Sequence, residues 1–292
     1  MTRYRAALLA LFVTFLWATS WVLIKFGLAD VPPLTFAGLR YSLAFLLLFP
    51  FVFIRSRWTA IQKLTQRQWL QITLLGVMYY AVTQGAQFVA LALLPAVSVS
   101  LILNLTPFVV VIFGILWLRE PPTPIQWFGL ALNLTGVALY FVPFEIVFNQ
   151  LFGIGIAFIG MLASASSAVL GRHMNRAQSL DALSLTALSM GIGSLLLLCA
   201  GIVTNGVPAL QLDSWLIIFW LAIVNTAVAF TLWNHTLRSL TAMQSSIINS
   251  TLLVQIAILA WVFLGETFTL QQILGMSAAA CGALLAQIRV RR

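Results

Sequence analysis

FGILWLREPPTPIQWFGLALNLTGVAL, residues 113–139, is followed half a chain later by LAWVFLGETFTLQQILGMSAAACGALL, residues 259–285. The offset is 146 in a chain of 292 residues. Without a gap it sets Glu120 on Glu266, Thr123 on Thr269, Gln126 on Gln272, Gly129 on Gly275 and Gly136 on Gly282. Further out it pairs Phe12 with Phe158, Ser20 with Ser166, Trp69 with Trp215, Ala96 with Ala242 and Ser100 with Ser246. Leu and Ala matches would be cheap in so apolar a chain, but Glu, Trp, Gln and Gly matches are not. The sequence therefore reads as two copies of one unit, residues 1–146 and 147–292.

Each copy is built for lipid. Of all residues 62% are hydrophobic and only 7% are charged, more apolar surface than a soluble domain can bury. A run of about 20 apolar residues spans the roughly 30 Å hydrocarbon core at about 1.5 Å per helical residue. Ten such runs are predicted, near 8–28, 34–54, 72–94, 96–118, 124–143, 152–172, 180–203, 215–237, 242–264 and 270–288. Pro32-Pro33, Pro95, Pro121-Pro122 and Gly206-Val207-Pro208 punctuate them, because proline cannot continue a helix. MTRYRAALLALFVTFLWATSW has the basic start and apolar run of a secretory signal, but the run is too long and more spans follow, so it reads as a retained first helix. Five helices is an odd number, so the second copy enters the membrane upside down. The expected fold is an all-α integral membrane protein with ten transmembrane helices in two inverted five-helix repeats, an arrangement suited to alternating access around a site at the repeat interface.

Lys and Arg accumulate on the cytoplasmic side of short loops. With the N-terminus inside, the inner segments hold Arg3, Arg5, Arg55, Arg57, Lys63, Arg67, Arg119, Arg172, Arg176, Arg238, Arg289, Arg291 and Arg292, thirteen of the fifteen cations. Both termini are thus expected in the cytoplasm, and the net charge of +9 expresses topology rather than nucleic-acid binding. The other two cations, Lys25 and Arg40, flank the Pro-Pro turn on the outer side. Two readings stand for them: snorkelling to headgroups and pairing with Asp30, or lining an outer vestibule or gate whose positive field attracts or releases a carboxylate.

Polar groups facing lipid are costly, so a solute site is expected where polar helix faces meet at mid-depth. The third span carries Tyr80, Thr83, Gln84 and Gln87, three and four apart and hence on one face of a regular helix. The fourth carries Ser100 and Asn104, followed by Pro107, which should open the backbone close by. The ninth carries Ser246, Asn249 and Ser250, and Ser246 and Ser250 are the 146-offset twins of Ser100 and Asn104. Trp17 and Ser20 of the first span, Ser164 and Ser167 of the sixth, and Asn225 and Trp233 of the eighth complete the candidate substrate-binding set. Helix packing accounts for an isolated Ser or Thr more readily than solute contact does; Gln84, Gln87 and Asn104 are larger and more central, and the two readings weigh equally for them. Trp17 and Trp233 lie too deep for an interfacial belt, whereas Trp58, Trp69 and Trp215 sit near helix ends as anchors. Deep aromatics beside amides suit an amphipathic solute.

The six carboxylates, Asp30, Glu120, Glu145, Asp181, Asp213 and Glu266, all fall in or beside loops, and His173 and His235 fall near cytoplasmic ends. No helix centre offers an acid for ion coupling, which predicts a facilitator moving solute down its gradient. Enzyme chemistry would need an activated nucleophile or paired carboxylates, and metal binding a His/Cys/acid cluster; neither constellation is present, so no enzyme activity, metal or cofactor is expected. Cys199 and Cys281 read as core thiols, and the absence of a phosphate loop argues against ATP-driven pumping.

Lys25, Pro32-Pro33, Arg40, Glu120 and Glu266 in this repeat frame, with the start LWATSWVLIKFGLADVPPLTFAGLRYSLAFLLL, resemble the EamA family of the drug/metabolite transporter superfamily over essentially the whole chain. Arg119 before Glu120, against Gly265 before Glu266, departs from a strict motif. The resemblance implies a multi-pass protein of the bacterial inner (plasma) membrane whose partners are lipid and small solutes. Its implied function is export of amino acids, aromatic or other amphipathic ones included, and related metabolites, as in YddG-like exporters. A sugar-phosphate or nucleotide-sugar anion exchanger of the same superfamily is the alternative, motivated by Lys25 and Arg40, although it calls for central cations. One chain containing both halves could work as a monomer.

Overall fold

The computed structural model describes residues 3–118, 123–142, 148–177, 180–206, 208–237, 239–240 and 242–287. These are helical, without strands among the described residues. Helix α1 (Arg3–Gly27) is followed by the Pro32-Pro33 turn, whose second proline opens α2 (Pro33–Leu48) and whose missing N–H falls where no helical partner exists. A 3-10 turn (Phe49–Phe53) leads to α3 (Arg55–Gln62), a short helix where the sequence suggested only a connection. Arg57 Nε lies 3.2 Å from Asp181 Oδ2 and fastens this segment to the start of the seventh span.

Thr65 caps α4 (Gln66–Gly76) reciprocally with Gln68. The helix passes through a π-helical segment (Val77–Gln84) into α5 (Gly85–Leu93). After Pro95 come α6 (Ala96–Leu103) and α7 (Thr106–Leu118), then α8 (Pro124–Phe141) and the long α9 (Phe148–Ala177). Asp181 caps α10 (Ala182–Asn205), which ends at Gly206 with φ 72°. Next, α11 (Leu212–Ala222) runs through a second π segment (Ile223–Val228) into α12 (Ala229–Leu237), followed by α13 (Ala242–Leu264) and α14 (Leu270–Gln287).

Six described helices are long and apolar enough to cross a membrane: Tyr4–Gly27, Pro33–Phe53, Gln66–Leu93, Ala96–Phe113, Gln150–Gly171 and Ala182–Asn205. Leu212–Val228, Ile248–Leu264 and Leu270–Ala286 are shorter apolar helices. Large apolar side chains such as Phe152, Trp261 and Leu270 point outward, more than half exposed, as a lipid-facing surface requires. Four element starts recur at an offset of 146: Gln66, Val77, Ala96 and Pro124 against Leu212, Ile223, Ala242 and Leu270.

Two features of the backbone position the site. Pro107 has no N–H to give to the carbonyl four residues back, Leu103. The helix parts there between α6 and α7, and Thr106 Oγ1 donates to that same carbonyl at 2.6 Å. The twin of Pro107 is Leu253, and α13 runs through it unbroken. The second feature is the contact of α8 with α14. A Cβ on Gly136 would lie 2.3 Å from Ala279 N, and one on Gly282 2.2 Å from Asn133 N. Only hydrogen at these positions lets the backbones touch, the small-residue packing that replaces hydrophobic driving force inside lipid. Gly38 against Leu198 and Gly76 against Ser189 serve the same purpose between α2, α4 and α10.

Candidate functional site

A cavity of about 570 Å³ lies between α1, α6, α7, α9, α13 and α14. Ser100, Asn104, Thr106, Asn249 and Ser250 give it hydrogen-bonding groups, and Trp21, Val110, Leu253 and Ile256 give it apolar wall. Its described lining carries no charged side chain. The parted helix explains the polar wall: Asn104 sits at the C-cap of α6, where a helix runs out of internal acceptors and donors. From α8, Asn133 Nδ2 donates to the Ala279 carbonyl at 2.8 Å and to Asn104 Oδ1 at 3.4 Å. The size falls within the range of small-molecule pockets, about 300–1,000 Å³.

Of the residues singled out in the sequence, the cavity gathers Ser100, Asn104, Asn249 and Ser250. The side chain of Ser246 lies outside the described residues, as do Glu120 and Glu145. The others go elsewhere. Trp17 packs at a tilt against Phe230 and Trp233, ring centres 5.4 and 5.2 Å away, and Trp21, one turn further along α1, takes its place at the cavity. Ser20 and Ser167 donate back to carbonyls of their own helices, Ser167 to that of Ser164. Asn225 Nδ2 donates to the Leu16 carbonyl and, at 3.3 Å, to Thr19 Oγ1, joining the second π segment to α1.

The polar face of the third span does not line this cavity either. Tyr80 is buried against Tyr41 and Tyr79, Thr83 Oγ1 donates to the Met78 carbonyl five residues back at 2.8 Å, and Gln84 Oε1 accepts from Tyr41 Oη at 2.7 Å. Gln87, on α5, is half-buried and is not among the lining residues. In the second π segment Thr226 likewise donates five residues back, to Leu221, at 2.9 Å.

Neither expectation for the two cations survives intact. Lys25 does not pair with Asp30: its Nζ donates to the Leu94 carbonyl at 2.6 Å, and the negative charge it senses is Glu266. Glu266 in turn accepts from Ala96 N at 2.6 Å and Val97 N at 3.4 Å. Lys25 holds the carbonyl of Leu94, just past the end of α5, and Glu266 is an anion on the first amides of α6, which matches the sign of that helix end, so the turn at Pro95 is clamped from α1 on one side and from the segment after α13 on the other. Beside it lies a second cavity of about 680 Å³, lined by Ser98, Tyr140, Gln150, Glu266 and Gln271 among others.

Arg40 neither snorkels nor lines an open vestibule. It is 5% exposed, with Nε and Nη2 both 3.4 Å from Thr226 Oγ1 and the guanidinium 5.1 Å from the centre of the Tyr41 ring. The salt bridge among the described residues is the Arg57–Asp181 pair, so Arg40 is a buried cation without a described carboxylate partner. No group of three or more metal-ligating side chains occurs among the described residues. Sequence reading passed over Trp21, Thr106 and Asn133. The signal for Thr106 was its place before Pro107; for Asn133, a lone amide in an apolar run, it was the 146-residue spacing to Ala279.

The profile of the EamA-like transporter family matches residues 4–142 and again 151–287. The chain is 25% identical over 284 residues to the uncharacterized transporter YoaV of Bacillus subtilis (strain 168), covering 94% of this chain and 93% of that one. It is 33% identical over 217 residues to the uncharacterized transporter YvbV of the same organism, covering 72% and 67%. It is also 26% identical over 270 residues to an S-adenosylmethionine/S-adenosylhomocysteine transporter of Chlamydia trachomatis serovar L2, covering 87% and 80%. A solved crystal structure 18% identical in sequence matches 97% of each chain with a TM-score of 0.67, which extends the likeness to the fold. Matched by one profile on both sides of its midpoint, the chain belongs to the EamA-like transporter family.

Proposed function

We propose that this transporter exports amino acids, aromatic or other amphipathic ones among them, and related metabolites by alternating access, without ion coupling. The observation that carries the reading is the central cavity: Ser100, Asn104 and Ser250, on faces related by the 146-residue offset, meet Asn249 and Trp21 around about 570 Å³ of uncharged, mainly apolar space. A zwitterion with an apolar side chain fits such walls, with amides and hydroxyls for its polar end and Trp21, Leu253 and Ile256 for the rest. The relative whose name specifies S-adenosylmethionine and S-adenosylhomocysteine, both amino-acid derivatives, supports this class. The anion-exchanger alternative finds less support, since Arg40 is buried away from the cavity and Lys25 is engaged at the Pro95 turn.

In this reading, α8 and the three shorter apolar helices add to the six long ones to make ten crossings, and the recurrence of element starts at 146 residues supports two inverted halves. The charge distribution puts both termini in the cytoplasm and the Pro95 turn outside, in a bacterial inner membrane. The test is flux of a labelled amino-acid panel, with S-adenosylmethionine and a sugar phosphate included, into liposomes holding the purified full chain. Saturable flux of amino acids, unchanged when the proton gradient is collapsed, is expected. Flux of the sugar phosphate alone, or accumulation driven by an imposed proton gradient, would overturn the substrate class or the uncoupled mechanism respectively.

A further inference from the structure

We infer that Asn133 is a positioning residue: it turns the Asn104 amide so that its NH₂ group faces the cavity, which makes that wall select a carboxylate or another hydrogen-bond acceptor on the solute. The argument rests on which groups can only accept. A backbone carbonyl has no proton to give, so the 2.8 Å contact to the Ala279 carbonyl must be made by the NH₂ end of Asn133. The second hydrogen of that NH₂ is directed at Asn104, 3.4 Å away, and demands an acceptor there too. The Asn104 oxygen is therefore held toward α8. Its nitrogen, with two donors, is left for the cavity.

Asn133 is 3% exposed and is not among the residues lining the cavity, so it acts through Asn104 alone. The glycine contacts of α8 with α14 keep the two backbones close enough for the Asn133 side chain to meet the Ala279 carbonyl. The relay also breaks the symmetry of the site. The twin of Asn104 is Ser250, which lines the cavity too, but the twin of Asn133 is Ala279, which supplies only its backbone. A serine hydroxyl can donate or accept, whereas an amide NH₂ group only donates. The fixed donor is on one wall, so a solute with one acceptor end enters in one orientation.

This deepens the amino-acid reading and rests on it for the choice of solute. The test compares uptake of L-phenylalanine and L-phenylalaninamide by liposomes containing the full chain, wild type or Asn133→Asp. An Asp at 133 is near-isosteric. Ionised, it accepts only; protonated, it gives its one proton to the Ala279 carbonyl. Either way it draws the Asn104 NH₂ toward itself and leaves an oxygen facing the cavity. The ratio of kcat/KM for phenylalanine over the amide is expected to fall at least tenfold, chiefly through KM. Should the Asp variant not fold, Asn133→Ala frees the Asn104 amide, and the ratio should fall without inverting. An equal loss for both solutes would overturn the relay. Binding of 3-phenylpropionate and 3-phenylpropionamide, measured by calorimetry, separates the two ideas. Wild-type preference for the carboxylate, lost in the variant, upholds the relay even if no amino acid is carried; equal or undetectable binding of the two to the wild type overturns it.

Discussion

Replacing Glu266 with Gln should loosen the Pro95 turn while leaving the fold intact. The carboxylate holds Ala96 N and Val97 N at 2.6 and 3.4 Å. A hydrogen bond to a charged group contributes about 1.5–3 kcal/mol, against about 0.5–1.5 for a neutral one. An anion on a helix N-terminus adds about 0.3–1 kcal/mol. The glutamine oxygen can still accept one of the two amides, and the site is half-exposed, so screening keeps the loss low. A net weakening of about 1–2 kcal/mol follows, a factor of about 5–30 in population at about 1.4 kcal/mol per tenfold. The reporter is Ser100→Cys, inside the central cavity, in a background with Cys199 and Cys281, both exposed, replaced by alanine. Its labelling by an impermeant thiol reagent applied from the Pro95 side should rise about 5–30-fold with Glu266→Gln, and further with Lys25→Met, which frees the Leu94 carbonyl. Labelling unchanged by both substitutions, with melting temperature preserved, would show that the clamp does not close the cavity.

Two further expectations concern stability. Arg40 is a desolvated cation with one hydroxyl partner at long range, and replacing buried ionic groups with apolar ones of similar volume is often neutral or stabilising by about 1–4 kcal/mol; Arg40→Met should leave the melting temperature in detergent unchanged or raised, and a large drop would show that its contacts hold the helices together. Gly136→Ala should destabilise by about 1–3 kcal/mol or more through overpacking, because the new Cβ meets Ala279 N at 2.3 Å, whereas Gly155→Ala, with nothing within 4 Å, should gain about 0.5–1 kcal/mol from helix propensity; thermal unfolding of the two variants side by side checks the sign of each.

Helix limits were the most legible part of the sequence, because the signals that set them are local. The ninth apolar run, read as 242–264, is α13 over the same residues. The repeated T-x-x-Q words at 123–126 and 269–272 are helix starts at which the glutamine oxygen accepts the threonine N–H at 2.9 Å in both copies. Pro107 announced the break beside Asn104. What failed was phase. The face Tyr80, Thr83, Gln84, Gln87 assumed 3.6 residues per turn, but Val77–Gln84 is π-helical, and wider turns rotate every following side chain relative to a regular helix. Tyr80 and Thr83 consequently point into helix contacts. Arg40 misled for a different reason: seven residues past Pro33 at about 1.5 Å each is about 10 Å of depth, too far for its partner to be named without knowing that the second π segment lies across from it.

The interruption at Leu103–Pro107 has no counterpart in α13, the helix at the same place in the second profile-matched half, which runs unbroken. In the alternating-access mechanism proposed above, one arm is broken and the other continuous, so the two postures resemble each other in outline without being equal in free energy. For a carrier without an energy source, the ratio of maximal rate to half-saturation must be the same in both directions, but the two half-saturation constants need not be. The side on which the jointed arm bends more easily sets the longer dwell. On that proposed mechanism, the proline in one copy acts on the concentration at which each face of the membrane fills the cavity, and not on where the solute finally comes to balance.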